Sequence, residues 1–468
     1  MSLVEVKMRV ISYLFFILSL FIAVPSEAAV INNIRSGAYT DKTRIVLDLD
    51  ELPKYSEVLS GSQLSIKIDA DVKQENVLTP KSDLVKKVSL QKDGQGKAKV
   101  SVDLSKSPGS YKVFVLKAPN RLVIDFYRYV ISKQVTEIDK DMHYISWRDY
   151  QNNKPVWLHI LEVAPKGTYE LRPILGKTIT IDKGRLSAAA QQTGAFAAIN
   201  SSYFDSSKWI VGNLKINDEW VSCDFTPRTA LVIDQAGKAK IMPDLYYEGQ
   251  AVAGNGKKAE ITGINRERLA GDLILYNSFY GQSTGTNKFG REVRVEKGKV
   301  TEIGINGNLA LRPGSVVLSG HGNSAEFLKT LKVGSRIEIK QSLEQEEADK
   351  AKHVIGAGPL LVSNGKASVT AEEEQFPADI AAGRAPRTAI GLKADGGILL
   401  VVAEGRSDVS AGLTLDELAD YMIKLGAKEA MNFDGGGSSE MVLNKEIMNN
   451  PSDGSERPVR AGLGVFRN

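Results

Sequence analysis

Residues 434–439, Asp434-Gly435-Gly436-Gly437-Ser438-Ser439, concentrate one carboxylate, three glycines and two hydroxyls in a single loop. Glycines at that density let the backbone turn sharply and come close to a ligand. Successive N–H groups in such a turn can make a concavity for an anion. Three glycines alone would read as a tight structural turn. Asn432 and Asp434 ahead of them and Ser438 and Ser439 behind shift the reading to a binding or catalytic loop. A second group comes from a hairpin. Residues 387–394 run through Asp395-Gly396-Gly397 into residues 398–403, then Glu404-Gly405-Arg406. Asp-Gly between apolar runs is a strong hairpin signal. Counting outward from Gly396 sets Arg387 opposite Gly405, so the open end gathers Arg387, Glu404 and Arg406. Two guanidiniums beside a carboxylate suit a phosphate diester next to an acid/base group. In isolation such a trio is more often a surface ion pair.

Two stretches of matching layout must position these loops. Residues 186–193 read as a helix, followed by Gly194, a strand over 195–199 and Asn200. Residues 415–425 read as a helix, followed by Gly426, a strand over 427–431 and Asn432. Thr414 and Glu417 have capping-box spacing. Leu415, Leu418, Ala419, Met422 and Leu425 form one apolar stripe, and Gly426 is a natural stop. The layout predicts that Asn200 and Asn432 each end a buried strand and turn a polar loop toward a cleft, as strand ends do in α/β sheets. Gly356-Ala357-Gly358-Pro359 reads as a glycine-rich turn into another strand. Residues 255–345 are strand-rich with many glycine turns and predict a β-rich insertion. The charge run over 344–352 reads as a solvated face.

Composition and the missing motifs narrow the rest. A chain that is 42% hydrophobic and 25% charged fits ordinary globular domains. The formal charge of +4 comes with no basic block and no basic-aromatic stripe, which excludes a nucleic-acid footprint. His143, His159, His321 and His353 are scattered, with no zinc-type cluster. There is no EF-hand spacing, nucleophile elbow, P-loop or dinucleotide fingerprint. No cofactor and no metal site is expected. Lys7 and Arg9 precede an apolar run over 10–24 and then Pro25-Ser26-Glu27-Ala28, which predicts a secretory signal peptide over residues 1–28. The run falls short of the ~20 residues of a membrane span. The expected location is therefore secreted or cell envelope, with no membrane span after cleavage. Cys223 stands alone and is expected to be buried.

Residues 30–127 alternate polar and apolar positions in short runs, as at 43–49, 63–68, 98–104 and 121–126, which predicts an all-β sandwich. Its two halves look alike, each running from a V-D-L strand to an I-D strand. Asn33-Ile34-Arg35, the 43–49 run and Pro119-Asn120-Arg121-Leu122-Val123-Ile124-Asp125-Phe126 resemble the AMIN domain. That resemblance implies a cell-wall targeting module with peptidoglycan as its partner. Residues 128–150 read as a connector. The whole is expected to be α+β: an all-β sandwich followed by a mixed α/β domain over 151–467.

That second domain resembles the phosphodiester glycosidase family, to which the animal mannose-6-phosphate uncovering enzyme belongs. The resemblance rests on Ala198-Ile199-Asn200-Ser201-Ser202-Tyr203-Phe204, Gly358-Pro359-Leu360-Leu361-Val362, Arg387-Thr388-Ala389-Ile390-Gly391 and Glu404-Gly405-Arg406. It continues through Gly412-Leu413-Thr414-Leu415, residues 432–439, and Asn450-Pro451-Ser452-Asp453-Gly454 with Glu456-Arg457. The chain departs from the family's common residues at Ser201-Ser202 (often Gly-Gly), Glu404 (often Asp) and Glu440 (often Thr). The resemblance implies hydrolysis of a sugar-1-phosphodiester, as of N-acetylglucosamine, on the sugar side. Teichoic-acid-like or exopolysaccharide polymers are the expected bacterial substrates. On this basis Asp434 is assigned as catalytic carboxylate with Glu404 as partner, and Arg387 and Arg406 go to the phosphate. Gly435, Gly436, Gly437, Ser438 and Ser439 are assigned to phosphate or sugar oxygens, Asn200 and Asn432 to the sugar, and Thr388 and Gly358 to the binding wall. The competing readings are a non-catalytic wall-polymer binding protein and a metal-dependent phosphodiesterase.

Overall fold

The computed structural model describes residues 29–467 apart from 40–41, 106–109, 128–130, 153, 166–167 and 408, so the signal peptide read over 1–28 lies outside the described residues. The chain divides into two compact units, 1–127 and 128–468. Among the described residues no helix is long and apolar enough to cross a membrane.

In the first unit the period-two alternation does what it predicts. Two five-stranded sheets form, and their alternate apolar residues, among them Ile45, Leu47, Ile66, Val100 and Ile124, make one core. The V-D-L strand Lys42–Leu49 pairs antiparallel with the I-D-F strand Arg121–Tyr127. Gln63–Ile68 pairs with Ala98–Leu104 in the other sheet. Each sheet therefore mixes the two sequence halves. Arg44 grips Asp125 across its pair with two bonds of 2.6 and 2.7 Å, and this cross-strand contact fixes the register.

The second unit corrects the mixed α/β expectation. Overall the structure is 51% strand and 9% helix. Helices of seven or more residues are Leu186–Thr193, Asn323–Lys329 and Leu415–Lys424 among the described residues. Most apolar runs here are short, β-branched and broken by glycine, which suits strands better than 3.6-period stripes. The presumed connector is likewise structured: Ser132–Asp139 and Met142–Gln151 are paired strands. They open an eight-stranded sheet that continues through Lys154–Val163, Ile398–Ala403, Arg387–Lys393, Ala427–Asn432, Leu360–Ser363 and Lys366–Ala367. A five-stranded sheet contains Tyr169–Leu175, Ala461–Arg467, Ala197–Asn200, Met441–Leu443 and Glu446–Ile447. One core joins the two sheets, with Leu161, Ile390 and Met431 from the first and Leu171, Ile199 and Leu463 from the second. Within residues 255–345 the strands Leu273–Tyr276, Arg291–Glu296, Lys299–Gly304 and Val316–Gly320 share a further sheet. Val293, Leu275 and Leu318 belong to a separate core.

The helix over Leu415–Lys424 has both bonds of its capping box, between Thr414 and Glu417, and Gly426 follows it at φ 94°. Its stripe of Leu415, Leu418, Ala419 and Met422 is fully buried. The hairpin register differs from the count made on sequence. Arg387 pairs with Ala403, not Gly405. Lys393 N–H bonds Gly397 O at 2.8 Å and Gly396 takes φ 92°, so the turn is a three-residue loop centred on Asp395.

Removing the helix cap gives a simple check of this local account. Thr414→Ala is expected to lower unfolding stability by about 1 kcal/mol, read as a lower urea midpoint at unchanged slope.

Candidate active site

Asn200 and Asn432 are the last residues of their strands, in two different sheets. That placement brings their loops together. Asn200 is buried and spends its amide inside the protein. Its Oδ1 accepts from Thr388 Oγ1 at 2.7 Å and from Glu440 N at 3.0 Å, and its Nδ2 donates to Asp434 O at 2.6 Å. Asp434 N donates in turn to Ser201 O at 2.7 Å. Asn200 and Thr388 thus lock the loop in place from behind, where the sequence reading put them against a sugar. Asn432 Nδ2 donates to Tyr203 Oη at 2.8 Å, Phe433 O at 2.6 Å and Gly358 O at 3.3 Å. Tyr203 Oη also donates to Gly358 O, at 3.1 Å. Gly358 is needed as glycine: it sits at φ 87°, and a Cβ there would lie 2.3 Å from Glu374 Oε2.

Asp434 stands at the rim of this arrangement, partly exposed together with Gly435 and Gly436, between buried Phe433 and buried Gly437. Desolvation pushes its carboxyl up to about 6, partly offset by Ser438, the Gly435 amide and the charge of Arg457. Ser438 exerts this influence without reaching hydrogen-bond geometry. Its hydroxyl and those of Ser201, Ser202 and Ser439 are buried with no hydrogen-bond partner among the described residues, as is Asn432 Oδ1. Each such group costs about 1–3 kcal/mol unless something completes its bonds. All five belong to Asp434's own loop, to the strand end before it or to the Ser201-Ser202 turn that holds its amide, which makes this the candidate site for a polar ligand. The glycine loop does less with its backbone than the sequence suggests. Gly435 N bonds Asp434 Oδ1, Gly436 N bonds Pro386 O, Ser438 N bonds Gly435 O and Ser439 N bonds Gly436 O. Those amides are turned inward in a 3-10 turn, which leaves the serine hydroxyls as the loop's unpartnered polar groups. The glycines supply close packing: a Cβ on Gly437 would lie 2.1 Å from Arg457 Nη2.

Glu404 is 3% exposed. Its Oε1 accepts from Asn450 N at 2.8 Å and Asn450 Nδ2 at 2.9 Å, and lies 2.9 Å from His159 Nε2. His159 Nδ1 lies 2.7 Å from Tyr144 Oη. An imidazole with its proton on Nε2 donates to Glu404 and accepts from the tyrosine. Asn449, next in the chain, bonds Ser439 O at 3.0 Å and ties this relay to the serine loop. The two arginines separate. Arg387 is buried and bonds Leu413 O at 3.1 Å, Ile380 O at 2.9 Å and Gly383 O at 2.5 Å, and burial lowers its pKa. Its charge lies behind Gly435 as a structural clamp. Arg406 is exposed, and its Nη2 would be 3.1 Å from a Cβ on Gly436. It is the exposed one of the two guanidiniums beside the glycine turn.

Three groups that sequence reasoning assigned no role belong to the site. His159 gave no signal beyond its type, because its partner Glu404 is far away in sequence. Arg457 was visible in a quoted motif and now appears as the cation that acts on Asp434. Glu440 is buried, and desolvation followed by the neighbouring Glu456 pushes its carboxyl up to about 9, so it is a neutral acid at pH 7. Glu456 is held by Ser187 N and Ser187 Oγ, both at 2.7 Å. Among the described residues the cavities of about 570, 530 and 460 Å³ are not lined by Asp434, Glu404 or Asn200. The candidate site lies where strand ends of the two sheets meet. Cys223 is buried elsewhere.

Comparison with known proteins finds relatives in sequence and in fold. The human N-acetylglucosamine-1-phosphodiester alpha-N-acetylglucosaminidase is 40% identical over 67 residues, 14% of this chain and 13% of that protein. The chain thus spans about an eighth of the curated relatives it matches. Two solved structures share the fold. A hypothetical protein from Synechocystis has a TM-score of 0.67 at 21% identity, covering 95% of this chain and 81% of its own. A candidate exported protein from Burkholderia pseudomallei has a TM-score of 0.59 at 19% identity, covering 93% and 98%. The family model for phosphodiester glycosidases matches residues 285–466, the stretch that supplies Glu404, Arg406, Asp434 and the serine loop. Over residues 285–466 this chain is therefore similar to the phosphodiester glycosidase domain.

Proposed function

We propose that the chain is an exported hydrolase that cleaves a sugar-1-phosphodiester, of the N-acetylglucosamine-1-phosphodiester kind, in cell-envelope or exopolysaccharide polymers. The observation that carries this reading is Asp434 set among four buried, unpartnered serine hydroxyls. Export rests on the leader motif, and polymer targeting on the AMIN-like strand pattern of the first unit.

The reaction calls for an oxocarbenium-like transition state with negative charge leaving on phosphate. Phosphate leaves well, so the demand is for anion stabilisation and for a carboxylate that attacks or activates water. Arg406, exposed above the glycine turn, meets the phosphate. The serine hydroxyls hold sugar or phosphate oxygens. Asp434 at about 6 is mostly ionised at neutral pH yet desolvated, which suits a base or nucleophile. Glu404, fixed by Asn450 and the His159–Tyr144 relay, is the second carboxylate. Asn200, Thr388 and Arg387 act through the loop they hold. No step requires a cofactor.

Incubating the protein with an N-acetylglucosamine-1-phosphodiester in oxygen-18 water tests the bond assignment. Label is expected in the free sugar; label in phosphate would assign the enzyme to the phosphodiesterases, and no turnover of small or polymeric substrates would leave a binding protein. The pH dependence should show Asp434 directly. Activity is expected to rise through pH 6 as the carboxyl ionises and then level off; a profile flat across that range contradicts its role. Asp434→Asn is expected to fold and to lose about 10²- to 10⁴-fold in kcat/KM. Its stability has a definite sign. Because burial raises the folded pKa from 3.8 to about 6, the wild type is increasingly penalised as pH rises from about 4 to about 6. The Asn variant escapes this, so its Tm relative to wild type should rise over that window.

A further inference from the structure

One cavity of the second unit is lined by none of the candidate site's residues. It has a volume of about 530 Å³, inside the ~300–1,000 Å³ of small-molecule sites. Its walls are of two kinds. Trp209, Phe225 and Leu269 give apolar faces, and Phe225 and Leu269 are 41% and 59% exposed. Asp205 and Asp224 give carboxylates. The one arginine of the wall, Arg266, is fully engaged: it bonds Asp272 at 2.8 and 3.0 Å, Thr262 O at 2.7 Å and Glu267 O at 2.9 Å.

Chain connectivity ties this cavity to the serine cluster. Ser201 and Ser202 lead directly into the strand Tyr203–Phe204, which pairs with Ile210–Val211. Trp209 sits on the tip between them, and its carbonyl accepts from Asp205 N at 3.4 Å. Arg460 anchors the same tip through Ser207 O, while its neighbour Ala461 accepts from Ser201 N at 3.2 Å. One short hairpin therefore has its root in the candidate active site and its tip in the cavity wall.

We propose that this cavity is a glycan subsite, holding a neutral sugar unit of the polymer whose phosphodiester is presented to Asp434. The chemistry of the wall selects that class. A pyranose offers C–H faces, which stack on aromatic rings, and a rim of hydroxyls, which donate to carboxylates. Asp205 uses one oxygen on Ser207 Oγ at 2.6 Å, and Asp224 uses one on Thr226 N at 2.9 Å. Acceptor capacity remains on both. A phosphate would meet the carboxylates of Asp205, Asp224 and Glu267, with Arg266 already paired to Asp272, so anionic groups are turned toward Arg406 instead. The subsite's role in catalysis rests on the hydrolase reading above; its sugar binding does not.

Calorimetric titration of the full chain with chitotetraose, cellotetraose and maltotetraose tests the proposal. At least one is expected to bind, with Trp209→Ala weakening it about tenfold and Asp434→Asn leaving it unchanged. Phe225→Ser, at a more exposed ring, serves if Trp209→Ala does not fold, and should weaken binding likewise. No binding by any of the three, or wild-type affinity in both variants, overturns the subsite. Turnover separates the two readings. On a small N-acetylglucosamine-1-phosphodiester, Trp209→Ala should keep wild-type kcat/KM and lose it on longer glycans; equal loss on both would overturn a distinct subsite. Oligosaccharide binding without any phosphodiester turnover would sink the hydrolase reading and leave the subsite standing.

Discussion

The carboxamide of Asn200 is the contact on which the rest of the site depends. It lies at the end of a strand in one sheet, and its oxygen is claimed by Thr388 from the other sheet and by the backbone of Glu440. Its nitrogen holds the carbonyl of Asp434. A buried amide with this many partners has little freedom, and in a low-dielectric interior each bond is worth more than in water. The Asp434 loop is therefore positioned by a fixed polar knot, with the apolar core shared by the two sheets behind it. Preorganisation of this kind lets a short glycine turn hold a carboxylate and two serines in fixed positions.

Around that knot, environment gives chemically similar groups different tasks. Asp434 sits at the cleft rim, where desolvation and nearby donors oppose each other and leave it near 6. Glu440 lies deeper beside Glu456 and is held neutral at pH 7. The same division separates the arginines: Arg387 is consumed by three backbone carbonyls, whereas Arg406 faces solvent above the turn. Where the chain carries Glu440, Thr is common in the resembling family. An acid kept protonated by burial and by a neighbouring carboxyl is one way to place a larger side chain there without burying a charge.

The structure also joins recognition to chemistry through one hairpin. Ser201 and Ser202 at its root contribute hydroxyls to the cleft, and Trp209 at its tip enters a separate cavity. A site with such a neighbour gains from it, because binding energy from remote parts of a substrate can orient the reacting bond.

Several local features could be read from residues alone, because they depend on neighbours in sequence. The helix ending before Gly426, its capping box, and the two asparagines at strand ends all follow from spacing. So does the alternation that makes the first unit a pair of sheets. The glycine-serine loop was legible as a site because it packs many functional groups into a few residues. What spacing could not supply was partnership across the chain. His159 reaches Glu404, and Asn200 reaches Thr388 and Glu440, only after the sheets assemble. The mostly β character of the second unit escaped for the same reason: short apolar runs fit a helix segment or a strand equally well until their neighbours pair with them. Which arginine stays free, and which amides of the glycine loop turn inward, was likewise decided by tertiary packing, since a donor's availability depends on what has already claimed it.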